Sequence, residues 1–443
     1  MLKFYLSDSL TTITRRELLG MPLTLVLTGI TKNGKATERK RIAAIITSYW
    51  PGSHADCIAG AMLNGYPYYD KHLEPSVQII SMYTDQVPDN DMSRYLALKH
   101  HYSIFPTIRE ALTLGGRDLA VDGVLLIGEH GDYAYNIKGQ QLYPRYYFYK
   151  QIIDVFRETG RVIPIFFDKH FSYDWNEAKW IYDQARELKI PMLAGSSLPL
   201  TWRRPPLELD LETPVEKAVF VSYGAKERSG IHSLLSLQSM VERRKGGETG
   251  IAAVKCLEGA PVWEWTDGNS WAERLLENAL ARCPKRKPGS PRDNVKNPIV
   301  FVLEYLDGLK AAVYMLSGHI RQNGFAADIR GKNGPISTQF WTQHVRPWGH
   351  AFPLYFHIEH LMNTGQPSWP IERELLATGT LAALFDSSFQ DGRIVKKGHR
   401  LETPHLKIAY HAPQKSLFYQ GPVPSREEKL WINIPGKVYS GTP

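Results

Sequence analysis

The sequence has few cysteines. Its 443 residues contain three, Cys57, Cys256 and Cys283, which lie far apart in the chain. An odd number at such spacing forms neither a disulfide framework nor the Cys-x-x-Cys pair of zinc sites and redox dithiols. We therefore expect no disulfide-stabilised fold, no dithiol chemistry and no bound metal.

Long apolar runs and concentrated charge are also missing. After the first 40 residues no stretch approaches the roughly 18 consecutive apolar residues that a membrane-spanning helix needs, which argues against membrane insertion. The formal charge of +8 is diffuse, and its densest cluster, at 283–297, contains Pro, Gly and Ser and is typical of a solvated loop. No basic run is interleaved with aromatic residues, so we expect no nucleic-acid partner.

Residues 1–39 do not have the pattern of a folded domain. Arg15 and Arg16 precede a modest apolar stretch from Met21 to Ile30, an arrangement that resembles a twin-arginine export signal of bacteria. The alternative is a frayed N-terminal helix on a cytoplasmic protein, because the stretch is short, contains Thr and Pro and lacks a clear cleavage site. We interpret the segment as an export leader and expect a periplasmic protein.

A chain of this length is too long for one ordinary core, so we expect two domains. From Arg41, apolar runs of strand length alternate with segments of helical periodicity. This alternation favours right-handed βαβ units and a Rossmann-type parallel sheet, which we assign to residues 40–198. Such sheets bind ligands at the carboxyl ends of their strands. The predicted strands are 41–47, 77–83, 121–128, 161–167 and 191–195.

The second part of the chain has a different pattern. Strand and helix patterns alternate twice, and a run of strands without intervening helices follows. Two of these strands are joined through Asp307-Gly308, a strong hairpin signal. Consecutive strands indicate an antiparallel sheet. We therefore assign residues 199–443 to an α+β domain with an open antiparallel sheet, followed by helices at 353–365 and 371–388.

The loop after the first strand lacks the glycine-rich fingerprint that normally accompanies dinucleotide binding. Only Gly52 occupies a suitable position. Ser48 and Ser53 could supply hydroxyls, and the following helix could supply its N–H groups. The bulky Tyr49 and Trp50 would have to turn outward, or the phosphates be held differently. Taken alone, this loop is a weak signal for a nucleotide.

Acidic residues follow two further strands. Asp85 lies near the end of the second strand, where dinucleotide-binding folds place an acid on the ribose hydroxyls; a turn aspartate is an equally good interpretation. After the strand that ends at Gly128 come Glu129, His130 and Asp132, more ionisable residues than a turn requires, although loops are commonly polar. Gly128 and Glu129 are candidate cofactor-binding residues, and His130 is a candidate substrate-binding residue.

Three ionisable residues, Asp168, Lys169 and His170, follow the apolar strand at 161–167 and therefore lie at the predicted crevice. A partly desolvated lysine could polarise a carbonyl or take up a proton there, because burial lowers its pKa. His232 lies on an otherwise apolar helix face in the second domain. Alone it would be a core histidine, but paired with Lys169 across a cleft it is a candidate acid or base.

The segment at 166–195 resembles a signature of the glucose–fructose oxidoreductase/inositol dehydrogenase (Gfo/Idh/MocA) family. That family has Glu-Lys-Pro after its fifth strand, followed by a helix, and this chain has Asp168, Lys169 and His170 there. The family's catalytic histidine opens a helix in a Gly-x-His context, which Gly230-Ile231-His232 matches. The resemblance covers about residues 41–388.

The resemblance implies an NAD(P)-dependent oxidoreductase that acts on a sugar, polyol or sugar derivative. In one version of this interpretation, the NAD or NADP stays tightly bound to the protein. It implies that Lys169 and His232 are catalytic and that Asp168 lies at the cofactor. The family's aspartate four residues before the histidine falls on Arg228, so its role is either vacant or passes to Glu227, which we name as a candidate substrate-binding residue. The resemblance also implies a homo-oligomer that forms through the C-terminal sheet.

Other interpretations stay open. Arg203 could contact nicotinamide or substrate, but an interdomain ion pair is an equally good assignment. The loss of the glycines suits a non-catalytic descendant that binds a carbohydrate. An enzyme of the same fold could also catalyse elimination or hydrolysis on a sugar, with Glu129, Asp132 and Glu227 as its acids.

Overall fold

The structure, a computed structural model, describes residues 38–69, 71–343, 348–415 and 417–423. The predicted export signal, with Arg15 and Arg16, lies outside the described residues. The chain from Lys40 onward forms one compact unit. No helix within the described ranges is long and apolar enough to cross a membrane.

The first part of the chain builds a parallel sheet covered by helices on both faces. Among the described residues, six strands form this sheet in the order β5-β4-β1-β6-β7-β8, and every neighbouring pair is parallel. The predicted Rossmann-type sheet is confirmed. In chain order this part contains β1 (Lys40–Ser48), α1 (His54–Asn64), β2 (Tyr66–Tyr68), β3 (Lys71–Leu73), β4 (Val77–Gln86), α2 (Ser93–His100), β5 (Ser103–Ile104), α3 (Ile108–Thr113), β6 (Gly123–Ile127), α4 (Arg145–Thr159), β7 (Ile165–Asp168), α5 (Trp175–Glu187) and β8 (Met192–Gly195).

The central strand β1 is buried on both faces. Ile42 and Ile46 pack in the core that contains α1, whereas Ala43 and Ile45 pack in the opposite core, which contains α3 and α4. A strand covered on both faces needs apolar side chains at every position, which explains the continuous apolar run. β7 is shorter than the predicted 161–167 strand, because Pro164 has no N–H to donate to a neighbouring strand.

The second part builds a larger sheet with the order β18-β11-β12-β13-β10-β14-β15-β9. The predicted antiparallel sheet is correct for most pairs, but β10 and β13 run parallel, so the sheet is mixed. The elements are β9 (Trp202–Arg204), β10 (Val215–Ser222), α6 (Arg228–Val241), β11 (Ile251–Glu258), α7 (Ala260–Asp267), α8 (Ser270–Ala281), α9 (Pro291–Asn294), β12 (Ile299–Tyr305), β13 (Lys310–Met315), β14 (Asn323–Ile329), β15 (Ile336–Trp341), α10 (Phe352–Thr364), α11 (Glu372–Ser387), β16 (Phe389–Gln390), β17 (Arg393–Ile394) and β18 (Leu401–Glu402).

The two helices near the end of the described chain connect the two sheets. Tyr355 and Ile358 of α10 pack in the core of the parallel sheet, together with Ile46. Leu376 and Leu381 of α11 pack in the core of the mixed sheet. α10 therefore packs on the parallel sheet, and α11 packs on the mixed sheet.

Candidate active site

A cavity of about 230 Å³ opens beside the carboxyl ends of β1, β7 and β8. Rossmann-type sheets bind their ligands at this edge. Within the described ranges, no group of three His, Cys, Asp or Glu side chains is arranged to hold a metal ion. The cavity is lined by Gly52, Ser53, His54, Cys57, Ile58, Asp168, Ser196, Ser197, His232, Trp348, His350, Ala351 and Leu354.

Asp168 and His54 form a pair at the cavity wall. Asp168 is the last residue of β7 and His54 is the first residue of α1, and Asp168 Oδ2 lies 2.7 Å from His54 Nδ1. A carboxylate oxygen accepts, so His54 Nδ1 donates this hydrogen bond, and in a neutral ring Nε2 would be the acceptor. Asp168 is buried, whereas 24% of the His54 side chain is exposed. His54 therefore presents a basic nitrogen at a place that a ligand can reach.

His232, near the start of α6, also lines the cavity, and its Nδ1 is hydrogen-bonded to Ser196 Oγ. Ser196 Oγ accepts a second hydrogen bond from the Leu198 N–H at 3.1 Å. Burial, aided by the charge of Lys169, lowers the pKa of His232 well below its usual value, so this ring is neutral at neutral pH. The centroids of the His54 and His232 rings are 6.1 Å apart.

Lys169 lies beneath the cavity and is fully buried. Its Nζ is 3.1 Å from Glu129 Oε1, and the Arg145 guanidinium donates to Glu129 Oε2 at 2.7 Å. Burial alone would raise the pKa of Glu129, but the charges of Lys169 and Arg145 outweigh it and hold that pKa well below its usual range. The predicted catalytic lysine is thus the partner of a buried carboxylate and does not line the cavity.

His170 and Glu227 are adjacent in the same interior region. His170 Nε2 lies 3.8 Å from Glu227 Oε1, and Glu227 Oε2 accepts the Gln141 N–H at 2.8 Å. Burial lowers the pKa of His170 well below its usual value and raises the pKa of Glu227. Neither side chain lines the cavity, so the structure does not bring Glu227 to the place where a substrate would meet His232.

The loop between β1 and α1 differs from the expected phosphate-binding turn. Gly52 has a φ of 89° and lines the cavity, and Ser53 Oγ accepts the Asp56 N–H at 3.2 Å. The Asp56 carboxylate accepts the Gly52 N–H at 2.8 Å. Tyr49 is fully buried, so it has turned inward. Ser48, also buried, lies at the end of β1 and does not line the cavity.

The remaining candidates of the parallel sheet lie around this edge. Asp85 is exposed, and its two oxygens accept the hydroxyls of Tyr83 and Tyr133, each at 2.7 Å.

The His130 ring lies 5.1 Å from the His54 ring. Burial, together with the interaction with His54, lowers the pKa of His130 to about 3. Gly128 faces Arg145, because a Cβ there would lie 2.6 Å from Arg145 Cγ.

Arg203 lies in another part of the fold. Its Nη1 donates to Glu208 Oε1 at 2.7 Å and to the Leu207 carbonyl at 3.0 Å, and its guanidinium stacks on Phe340 and Phe418. The structure thus gives Arg203 a local ion pair and does not place it at the cavity.

Several site residues escaped the sequence analysis, among them His54, Ser196, Arg145 and the cavity-lining His350. His54 has a detectable signal, since it is the first helical residue after an N-cap serine on a strand-to-helix turn of the sheet edge. Ser196 directly follows β8 and could have been found in the same way. Arg145 has no local signal, because it reaches Glu129 from the start of a helix that follows a long loop.

Comparison with solved structures shows the fold. GenD2 from gentamicin A biosynthesis, in complex with NAD, has a TM-score of 0.51 at 13% identity and covers 84% of this chain and 99% of its own. A myo-inositol 2-dehydrogenase from Lactobacillus plantarum (TM-score 0.47, 12% identity, 82% and 100% covered) and a probable dehydrogenase from Thermotoga maritima (0.47, 10%, 83% and 99%) are also similar.

No family model and no curated protein matches the sequence. At 13% identity the likeness to GenD2 establishes the fold alone. That fold, a Rossmann-type sheet followed by a second sheet, is the one that the resemblance to the Gfo/Idh/MocA family implies.

Proposed function

We propose that the protein is an oxidoreductase that acts on a small hydroxylated substrate, a sugar or polyol, with NAD or NADP as the hydride acceptor. The observation that carries this proposal is that three histidines, His54, His232 and His350, line one cavity at the ligand-binding edge of a Rossmann-type sheet, with the His54 and His232 rings 6.1 Å apart. The fold shared with NAD-bound GenD2 supports the reaction class.

The residues present fit a dinucleotide in two places. The start of α1, with Gly52, Ser53 and His54, borders the cavity, and a helix N-terminus favours a bound phosphate. Among the described residues other than its two chain neighbours, the nearest atom to the Cβ position of Gly52 is Trp50 Cζ3 at 3.9 Å, so a ligand can approach the backbone there. Asp85, at the end of β4, is exposed and retains acceptor capacity for ribose hydroxyls beyond its two tyrosine bonds. The nucleotide would be held between these places.

His54 is the general base of the proposed reaction. Its Nδ1–H donates to Asp168, so Nε2 can take the hydroxyl proton of the substrate, and the carboxylate stabilises the imidazolium that forms. A bound nicotinamide would accept the hydride from the substrate carbon that bears this hydroxyl. A positioned base of this kind contributes roughly 10²–10⁴-fold to a rate.

His232 acts on the same substrate oxygen from the opposite side. We assign the Ser196 hydroxyl proton to the hydrogen bond with His232 Nδ1, while Ser196 Oγ accepts the Leu198 N–H. The neutral ring then carries its own proton on Nε2 and donates it as a hydrogen bond to the substrate oxygen. In this assignment His232 orients the substrate and His54 removes the proton, which differs from the roles that the family resemblance implies.

Lys169 influences the site without lining the cavity. Its ammonium is fully buried beside Glu129 and contributes a positive charge that keeps His232 neutral. We therefore propose that Lys169 is a positioning residue, and that the alkoxide-stabilising role implied by the resemblance passes to His232.

A second candidate function has one specific observation in its favour. The Asp56 carboxylate holds the Gly52 N–H, so a negative charge lies where a dinucleotide would place its pyrophosphate. An enzyme that uses the two histidines for elimination or hydrolysis on a sugar would have no need of that phosphate cradle.

The experiment measures nucleotide binding and turnover in the full chain. NAD⁺, NADH, NADP⁺ and NADPH are added separately, and the unfolding midpoint is followed, since a ligand that binds the folded state raises it by mass action. Each oxidised nucleotide is then assayed for reduction with a panel of sugars and polyols.

We expect one nucleotide pair to raise the midpoint and one substrate to be oxidised, with turnover lost in His54→Gln. If no nucleotide stabilises the protein and none is reduced, the proposal fails. Substrate breakdown without any nucleotide would establish the second candidate instead.

A further inference from the structure

Glu374 is an unusual carboxyl group near the site. It lies in the first turn of α11 and is 1% exposed. Neither of its oxygens has a hydrogen-bond partner among the described residues. Two donors near it are committed elsewhere, since the Trp369 indole N–H donates to the Ala194 carbonyl and the Arg373 guanidinium to Glu242. The cations Lys169 and Arg145 act on it through their charge but make no hydrogen bond to it. A buried carboxyl without donors is a poor place for a negative charge.

Glu374 also lies against the framework of the cavity. Gly195, the last residue of β8, approaches so closely that a Cβ there would lie 3.3 Å from Glu374 Oε2. The next residue, Ser196, is the hydrogen-bond partner of His232. The charged groups that face Glu374 are Asp168 and Lys169 at the end of β7, Arg145 of α4 and Arg373 of its own helix. Asp168 is the carboxylate that orients His54.

We propose that Glu374 is a positioning residue of the site: it holds a proton at neutral pH, and its loss of that proton at alkaline pH increases the strength of His54 as a base. The effect on catalysis rests on the proposed function, whereas the protonation of Glu374 does not. Geometry supplies the argument, because the oxygens are buried and have no donor. Burial also raises the pKa of Glu374 to about 8, against the opposing charge of Lys169.

The direction of the effect follows from charge. While Glu374 is neutral, Asp168 is the one negative partner that stabilises the imidazolium formed on His54. When Glu374 releases its proton to solvent, a second negative charge appears beside Asp168, and the proton affinity of the Asp168–His54 pair rises. Proton abstraction by His54 then becomes faster. A glutamine at position 374 keeps the uncharged state and its slower rate at every pH.

The test compares Glu374→Gln with Glu372→Gln, two residues earlier on the same helix, where the carboxylate accepts the Tyr182 hydroxyl at 2.8 Å. The infrared spectrum of the full chain at neutral pH is measured for the C=O band of a protonated carboxyl. We expect that band in the wild type and in Glu372→Gln, and its loss in Glu374→Gln. A wild-type spectrum in which Glu374→Gln removes only a carboxylate band would overturn the proposal.

The second readout is the NMR signal of the His54 ring as the pH is raised. We expect an inflection above neutral pH in the wild type and in Glu374→Asp, which keeps an acid, and none in Glu374→Gln. An inflection that persists in Glu374→Gln contradicts the coupling. Neither readout needs a substrate or a nucleotide, so a protein that shows both yet reduces no nucleotide refutes the proposed function and leaves the role of Glu374 standing. With turnover, the rate should rise through this pH range in the wild type but not in Glu374→Gln.

Discussion

Asp168 and Lys169 are neighbours in the sequence, yet they belong to two regions with different properties. Asp168 contacts His54 at the wall of the cavity, where a ligand can reach the histidine. Lys169 points into a fully buried cluster with Glu129 and Arg145. Asp168 is the last residue of β7 and Lys169 follows it directly, so one strand end supplies both regions. The role of an ionisable residue at a strand end therefore depends on what its side chain contacts, and not on its residue type.

The largest expected effect is on activity and comes from the cavity region. Asp168→Asn presents an amide to His54 Nδ1, which removes the stabilising charge and favours the wrong tautomer. We expect kcat/KM to fall by roughly 10³–10⁴-fold, as for the equivalent change in a catalytic triad. Steady-state kinetics with the identified substrate checks this. Asp183→Asn, at an exposed ion pair with Lys179 on α5, should keep full activity.

A substitution in the buried cluster of Lys169, Glu129 and Arg145 should lower the free energy of unfolding. Lys169→Met removes one of two cations from Glu129, and breaking a buried ion pair typically costs about 3–5 kcal/mol. Urea unfolding measures the loss. The matched control is Lys179→Met, whose exposed pair should contribute less than about 1 kcal/mol. A Lys169→Met protein that unfolds like the wild type but lacks activity would contradict our division of the two regions.

The pH dependence of the unfolding free energy gives a further test, because it reports on the buried Glu374 near both regions. The pKa of Glu374 is raised from 4.5 to about 8 in the folded state, so its stabilising contribution is complete below about 4.5 and is lost as the pH rises through about 8. We expect the wild type to lose on the order of 4–5 kcal/mol relative to Glu374→Gln across this window. Unfolding free energies at several pH values measure the difference. Glu372→Gln should follow the wild type.

The smallest effect concerns Gly128, which the sequence analysis assigned to cofactor binding. A Cβ there would overlap Arg145, so Gly128→Ala should destabilise the protein by roughly 1–3 kcal/mol through overpacking. Thermal unfolding measures the change. Gly268→Ala, where the new Cβ makes only ordinary contacts, serves as the control. Equal stability of Gly128→Ala and the wild type, combined with weaker nucleotide binding, would favour the cofactor role.

The parallel sheet could be predicted from the sequence because its signals are local. The sequence of β1 is a continuous apolar run. The helix α1 has its N-cap at Ser53 and ends at Gly65, whose φ is 76°. The parallel pairing of β10 with β13 could not be predicted, since both strands have ordinary apolar patterns and their pairing depends on tertiary packing.

The site was only partly predictable. Asp168 and His232 were assigned to the crevice, and they line the cavity. The sequence could not show that Lys169 pairs with Glu129 and does not line the cavity, because that contact depends on tertiary packing. It also could not show that His54 meets Asp168, as 114 positions separate the two residues.

The most direct test of the account compares turnover in His54→Gln, His232→Gln and the double variant with turnover in Lys169→Met, all normalised to folded protein. Because both histidines act on one substrate oxygen, we predict that each single variant loses most of kcat/KM and that the double variant loses little more. Folded Lys169→Met should retain more activity than either single histidine variant. Full activity in both histidine variants, with an inactive but folded Lys169→Met, would contradict the account.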